Sequence, residues 1–104
     1  MRRGEVWWAD LPEPVKPRPV LILTRDAAIP VRGQLTVAFV TRRARRLPVE
    51  VPLGPEDGLR VPCVVNCDVI HTVPKRALQR RLGRLSFEKL GAAERALRFA
   101  LGLD

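Results

Sequence analysis

The chain has 104 residues, of which 46% are apolar; this length supplies one hydrophobic core but not two, so we expect a single domain over residues 1–104. No apolar stretch approaches the ~20 residues of a membrane helix, and the N-terminus lacks a signal-peptide pattern, which together predict a cytoplasmic protein. The net charge is +8, and 16 of the 19 basic residues are arginine. Because the guanidinium group matches the geometry of phosphate oxygens, this composition predicts a polyanionic partner. The alternative is that the arginines reflect only solubility or coding bias.

The first third of the chain predicts two strands joined by a stiff connector. Residues 5–11 are rich in β-forming side chains and stop at Pro12. Residues 11–17 contain three prolines, which exclude a helix. Residues 19–24 are almost continuously apolar, which predicts a central strand covered on both faces.

The middle of the chain predicts two further strands. Residues 34–41 form a third strand, after a loop that contains Pro30 and Gly33. The basic run 42–46 is interpreted as a solvated loop. Residues 48–52 alternate and carry proline at both ends, which is typical of an edge strand, and a turn follows at 54–58.

The last part predicts two strands and one helix. The strands cover residues 63–73 and 79–85, with a single helical turn between them at 75–78. Ser86 is a suitable N-cap, and Gly102 fits the C-terminal stop. Between them the apolar residues recur at helical spacing, at positions 90, 93, 97, 100 and 101. The fold class is therefore mainly β with one C-terminal helix, that is, α+β, built as a small barrel.

The two cysteines do not indicate a disulfide or a metal site. Cys63 and Cys67 lie four positions apart in one predicted strand, which separates their Cα atoms by roughly 13 Å, too far for a disulfide bond. With a single histidine, the chain offers no plausible zinc set. We interpret both as reduced residues packed in the sheet.

Three polar residues stand at or within the apolar strands. Arg18 precedes the second strand, Thr41 ends the third, and Asp68 interrupts the run 63–73. A cation, a hydroxyl and a carboxylate on a very basic domain predict a site that handles a phosphodiester, without metal or cofactor.

Five blocks resemble the MazF/PemK toxin family and occur in that family's order. They are an RGEVW-type first strand, an RPVLVI-type second strand, a third strand ending in threonine, a CDQ-IRT-type segment, and an IGRLS-type ending. In this chain they lie at residues 1–7, 18–23, 37–41, 64–73 and 83–86. The blocks span nearly the whole chain, and their combination is more specific than any one of them.

The resemblance implies a small SH3-like barrel acting as a sequence-specific endoribonuclease, an mRNA interferase of a type II toxin–antitoxin pair. Such toxins are homodimers neutralised by an acidic antitoxin. They cut single-stranded RNA without metal and leave 2′,3′-cyclic phosphate and 5′-hydroxyl ends.

The resemblance also implies roles for three catalytic residues. Arg18 would act as acid or as a clamp on the transition state, Thr41 would bind a phosphate oxygen or the 2′-hydroxyl, and Asp68 would be the base. Each has an alternative interpretation. Arg18 would otherwise pair with Glu5 or Asp10, Thr41 would be an ordinary strand end, and Asp68 would cap a turn or support Arg18.

A wider set of residues is expected to contact RNA. The connector is shorter than the family's usual glycine-rich loop and offers only Glu13 and Lys16 as polar contacts. Asn66 replaces an arginine believed to be an acid in the PemK/Kid branch. His71 replaces another arginine; it is interpreted as an RNA contact, with general base as the alternative. The arginines expected to follow the RNA backbone are Arg42, Arg43, Arg45, Arg46, Arg80, Arg81 and Arg84.

The tryptophans at the start of the chain point to opposite sides of their strand. We expect Trp7 in the core, whereas Trp8 either packs, lies in a dimer interface or stacks on a base.

Two rival functions remain open at this point. A CcdB-type gyrase poison uses the same barrel but depends on a C-terminal tryptophan, and this chain has none after Trp8. A non-catalytic module that binds nucleic acid or antitoxin would account for the short connector and for Asn66.

Overall fold

The computed structural model describes residues 1–103 and consists of six strands and one long helix. The strands are β1 (Glu5–Ala9), β2 (Arg18–Ile22), β3 (Gln34–Thr41), β4 (Glu50–Leu53), β5 (Cys63–Pro74) and β6 (Leu78–Arg84). The helix is α1 (Phe87–Leu101), and short 3-10 turns occupy Ile29–Val31, Pro55–Asp57 and Lys75–Ala77. The predicted mainly-β fold with one C-terminal helix is confirmed.

All six strands belong to one antiparallel sheet with the order β4-β5-β3-β2-β1-β6. The run predicted as a central strand is β2, and its Val20, Leu21 and Ile22 are fully buried. The run predicted as an edge is β4, which pairs with β5 alone. Its bounds are shifted towards the C-terminus, because Glu50 N donates to the Leu47 carbonyl and closes a turn ahead of the strand.

The strand ladder is open, so the expected barrel is not closed by strand pairing. Within residues 1–103 the edge strands β4 and β6 do not pair. Instead, the turn Pro55–Asp57 after β4 packs on β6. A Cβ at Gly58 would overlap the Leu82 carbonyl oxygen, and a Cβ at Gly83 would overlap that of Asp57. Gly58 also has φ +94°, a conformation that favours glycine. Backbone contact at two glycines therefore replaces strand pairing.

A buried carboxylate holds this turn against the helix. Asp57 is 1% exposed, and its Oδ2 accepts hydrogen bonds from Gly54 N at 3.0 Å and from Lys89 Nζ at 2.5 Å. Exposed Glu56 accepts a second bond from Lys89 at 2.9 Å. Burial alone would lower the pKa of Lys89, but its bonds to Asp57 and Glu56 outweigh burial and raise it. The cation is thus retained in the contact between the turn and α1.

The sheet carries a hydrophobic cluster on each face. One contains Val6, Leu21 and Val65 and is covered by α1 through Ala93 and Ala96. The other includes Val20, Ile22, Leu35 and Val37, with Trp7 packed against it. The half-buried Trp7 donates its indole N–H to Glu5 Oε1 at 2.9 Å, which agrees with the predicted packing role.

The helix begins and ends at the predicted residues. Ser86 Oγ accepts a hydrogen bond from Lys89 N at 3.1 Å, and Gly102 ends the helix with φ +70°. Leu101 does not belong to the buried face, since 51% of it is exposed. The expected apolar stripe therefore packs on the sheet only as far as Leu97.

Both cysteines lie in β5 as free, buried thiols, as expected. Burial raises the pKa of the Cys67 thiol to about 11. Burial, assisted by the Asp57 carboxylate, also raises the pKa of Cys63. Neither thiol is therefore activated as a nucleophile.

The glycine contact predicts a strong effect of one methyl group. Gly83→Ala should lower the free energy of unfolding by about 3 kcal/mol, because the added Cβ must displace backbone. Gly33→Ala is the matched control, since a Cβ there meets no atom within 4 Å and the change should be neutral or slightly stabilising. Urea denaturation measures both, and equal midpoints for the two variants would contradict the contact.

The Asp57–Lys89 pair predicts unequal effects at adjacent carboxylates. Asp57→Ala should destabilise the protein by about 2 kcal/mol, because it leaves Lys89 and the Gly54 N–H without their buried acceptor. Glu56→Ala removes the exposed partner of the same lysine and should change the melting temperature little. Thermal melts of the two variants test this, and a larger loss for Glu56→Ala would refute it.

Candidate active site

A cavity of about 640 Å³ lies where β2 begins and β3 ends. Its lining includes both Arg18 and Thr41, together with the indole of Trp8. Four arginines line it, and no carboxylate of residues 1–103 does. These arginines are Arg18, Arg42, Arg60 and Arg80. The cavity therefore combines a strongly positive wall with an aromatic surface, a combination that suits a nucleotide phosphate and a base.

Arg18 is held by the protein but forms no ion pair within the described chain. Its Nη2 donates to the Val15 carbonyl at 2.5 Å, and its Cζ lies 5.1 Å from the ring centroid of Phe39. Its Nε is buried without an acceptor. The charge of Arg18 is consequently not neutralised by a neighbouring carboxylate.

Glu5, one of the alternative partners of Arg18, is engaged elsewhere. Its carboxylate accepts hydrogen bonds from Trp7 Nε1 and Arg2 N, and Arg81 lies 3.6 Å away. Burial alone would raise the pKa of Glu5, but these hydrogen bonds and the Arg81 charge outweigh it and lower the pKa. The other alternative partner, Asp10, accepts a hydrogen bond from Gln79 at 3.4 Å.

Thr41 is the last residue of β3 and is half-buried at the cavity. Its Oγ1 accepts a hydrogen bond from Arg43 N at 3.2 Å. A hydroxyl can accept and donate at once, so its proton can still be donated to a phosphate oxygen. The backbone bond fixes the oxygen beside Arg42.

Asp68 lies outside this cavity, on an exposed bulge of β5. Ala38 pairs with Ile70 and Val40 with Val65, so residues 66–69 stand opposite the single residue Phe39. The Asp68 amide donates to Asn66 Oδ1 at 2.9 Å. The structure thus brings Arg18 and Thr41 together at one cavity, and Asp68 is not among the residues that line it.

The other residues expected to bind RNA are distributed around the molecule. Arg42 and Arg80 line the cavity. Arg43 follows Arg42 in the chain, is exposed and does not line the cavity. Arg81 contacts Glu5, and Arg84 lines a second cavity of about 430 Å³ at the start of α1.

The remaining predicted contacts lie in the connector and in β5. Glu13 and Lys16 are exposed, and Lys16 adopts φ +71°, which is unusual for a residue with a side chain. Asn66 is half-buried at the bulge. His71 is stacked on Phe39, with ring centroids 3.8 Å apart.

Sequence reasoning missed Arg60 and Phe39. Arg60 follows the turn 55–58 and reaches the cavity only because that turn packs on β6. Nothing in the local sequence distinguishes it from other loop arginines. Phe39 had a usable signal, since it lies two residues before Thr41 in the same strand and such residues share a face.

Among residues 1–103, no group of three or more His, Cys, Asp or Glu side chains is arranged to hold a metal ion. Over the same residues, no helix is both long and apolar enough to cross a membrane.

Comparisons with known proteins agree over nearly the full length. The chain is 45% identical to a probable endoribonuclease MazF2 of Mycobacterium tuberculosis, over 98% of this chain and 99% of the relative. The Mycobacterium tuberculosis toxin MazF-mt6 matches the fold with a TM-score of 0.89 at 39% identity, over 96% of this chain and 98% of that one. An endoribonuclease in complex with its cognate antitoxin, from a mycobacterial species, matches with a TM-score of 0.89 at 31% identity, over 100% and 97%.

The family described as PemK-like, MazF-like toxin of type II toxin–antitoxin system matches residues 2–101. The blocks that resemble this family in sequence also carry the cavity with Arg18 and Thr41. This chain is therefore a member of the PemK/MazF-like toxin family of type II toxin–antitoxin systems.

Proposed function

We propose that this endoribonuclease toxin cleaves single-stranded RNA at particular sequences, without metal, and that the cavity of Arg18 and Thr41 binds the scissile phosphate. The observation that carries the proposal is the pairing of these two side chains in a cavity lined by four arginines. A cytoplasmic location follows from the proposed substrate.

The proposed reaction uses the nucleophile that RNA itself supplies. The ribose 2′-oxygen attacks phosphorus, the bond from phosphorus to the 5′-oxygen breaks, and a proton passes to that 5′-oxygen. The products are a 2′,3′-cyclic phosphate and a 5′-hydroxyl. Because no water has to be activated in this step, the chemistry needs no metal-bound hydroxide.

Arg18 and Thr41 have complementary roles in this proposal. Arg18 stabilises the charge that develops on the phosphorane oxygens, and its proximity allows it to supply the proton to the leaving oxygen. Thr41 donates a hydrogen bond to a phosphate oxygen or orients the 2′-hydroxyl. Both are present before substrate binds, so little reorganisation is needed in the transition state.

Asp68 remains the proposed base, although it lies outside the cavity. It can act on the same RNA if the strand runs from the cavity to the β5 bulge, or if a second copy of the chain supplies it. The proposed homodimer provides the second route. Glu13, Lys16, Asn66 and His71 remain proposed RNA contacts for the flanking nucleotides.

The proposed partners share one electrostatic rationale. The cavity arginines carry no carboxylate counterion among the lining residues, so a polyanion is attracted to them. RNA satisfies this requirement through its phosphates. An acidic antitoxin segment would satisfy it through carboxylates and would compete for the same surface, consistent with the relative solved in complex with its cognate antitoxin.

Removal of the Arg18 cation should abolish cutting without loss of the fold. Purified protein is incubated with a long single-stranded RNA in EDTA, and fragment ends are mapped by mass spectrometry. Wild type should give discrete fragments that end in 2′,3′-cyclic phosphate, and Arg18→Ala should be slower by about 10²-fold or more. Arg32→Ala, the same change at an exposed arginine outside the cavity, is the control.

The outcomes of this experiment separate the candidate functions. Cleavage by Arg18→Ala at the wild-type rate would remove Arg18 from the site. RNA that stays intact with wild type, yet binds in a salt-sensitive way, would support the non-cutting module. Binding should weaken with salt at a log–log slope near −3.5 if about five phosphates are contacted.

Replacement of Asp68 distinguishes a base from a structural support. Because Asp68 is exposed, Asp68→Asn should fold normally. Loss of the base should lower kcat by about 10²–10⁴-fold. Asp10→Asn makes the same change at another exposed carboxylate and should keep the wild-type rate. A folded Asp68→Asn protein with wild-type kcat would exclude Asp68 as the base.

A further inference from the structure

Phe39 contacts two residues of the proposed site from a strand that lies between them. The Arg18 Cζ lies 5.1 Å from its ring centroid. The His71 imidazole is stacked on the same ring at 3.8 Å, with the two planes within 4° of parallel. Arg18 belongs to β2 and His71 to β5, and β3 lies between these strands in the sheet. The ring of Phe39 therefore connects side chains from three adjacent strands.

The guanidinium of Arg18 is restrained at more than one point. Val15 accepts a hydrogen bond from Nη2, which ties the group to the connector before β2. Nε is enclosed and has no acceptor within residues 1–103, so a phosphate in the cavity would be bound by the terminal amino groups, of which Nη2 already makes one bond to Val15. An enclosed donor without an acceptor is unfavourable, and this orientation must be maintained by other contacts. The ring of Phe39 can maintain it, because the face of an aromatic ring attracts a cation.

We propose that Phe39 is a positioning residue for Arg18: its ring, stacked on His71, fixes the guanidinium so that the terminal amino groups face the cavity. The inference rests on the proposed function, in which Arg18 stabilises the scissile phosphate. Phe39 touches neither substrate nor reacting atoms. It acts by removing the rotational freedom of Arg18 before RNA binds, so that this freedom is not lost in the transition state.

Phe39 shares its strand face with both the apolar core and the Thr41 end of β3. Phe39 and Thr41 are two residues apart, which places them on one face of the strand. On that face Val37 is fully buried, whereas Phe39 is half-buried: it packs against the apolar cluster and also meets the Arg18 guanidinium. One strand thus supplies both the Thr41 hydroxyl and the aromatic surface that orients Arg18.

A kinetic test distinguishes the effect of the aromatic ring of Phe39 on catalysis from the effect of its size. Phe39→Leu keeps an apolar side chain and removes the ring, and it should lower kcat about tenfold while the KM for RNA stays within about twofold. Phe39→Tyr keeps the ring and should retain kcat within about twofold. Phe87→Leu, the same change at a phenylalanine that is 90% exposed, should match wild type. A Phe39→Leu protein with wild-type kcat, or a Phe39→Tyr protein as slow as Phe39→Leu, would overturn the proposal.

A second readout does not depend on RNA cleavage. The Nε–Hε resonance of Arg18, identified by its loss in Arg18→Ala, can be followed by nitrogen-15 NMR in the free protein. It should exchange slowly with water in wild type and in Phe39→Tyr, and at least about tenfold faster in Phe39→Leu. Unchanged exchange in Phe39→Leu would overturn the positioning role. Failure of wild type to cut RNA, with the exchange pattern intact, would reject the proposed nuclease function instead.

Discussion

The close contact between the turn Pro55–Asp57 and β6 is the constraint on which the rest of this structure depends. An open six-stranded sheet leaves two edges, and here both are secured without a seventh strand or a closed ladder. Glycines at 58 and 83 allow two backbones to touch, and the Asp57–Lys89 pair attaches the same turn to α1. The residues that follow the turn line the Arg18 cavity, so the packing of this turn on β6 also positions part of the cavity wall.

The cavity concentrates like charges that would repel one another in the free protein. Its arginines come from β2, β6 and two loops, and among residues 1–103 no carboxylate shares the lining. Repulsion between these charges raises the electrostatic energy of the empty site, and a bound polyanion relieves that repulsion. Arg18 is retained there by contacts that do not neutralise it, a backbone carbonyl and an aromatic ring. The charge therefore remains available to substrate, which an ion pair with Glu5 or Asp10 would have prevented.

Local patterns predicted the elements and the two residues, Arg18 and Thr41, that share the cavity, whereas the rest of its lining depends on contacts between distant segments. Arg18 and Thr41 were identified because Arg18 precedes one apolar run and Thr41 ends another. Asp68 was expected to join them, but it is exposed on the bulge opposite Phe39 and does not line the cavity. Arg60 was missed because its position is set by a turn that packs on a strand more than 20 residues later. Register shifts between strands, and the packing of a turn on a distant strand, produce no periodic pattern in a single sequence.

The amino-acid sequence by itself determined the mainly-β class, the C-terminal helix with its Ser86 and Gly102 caps, the basic character, and the family. These properties depend on side-chain periodicity, capping chemistry and charge, all of which are local or additive along the chain. Only the tertiary structure decided that the turn 55–57 packs on β6 at two glycines and that Phe39 lies against both Arg18 and His71. It also decided that Asp68 lies outside the cavity that Thr41 lines. These outcomes depend on which strands become neighbours and in what register, and that is settled when the whole core packs.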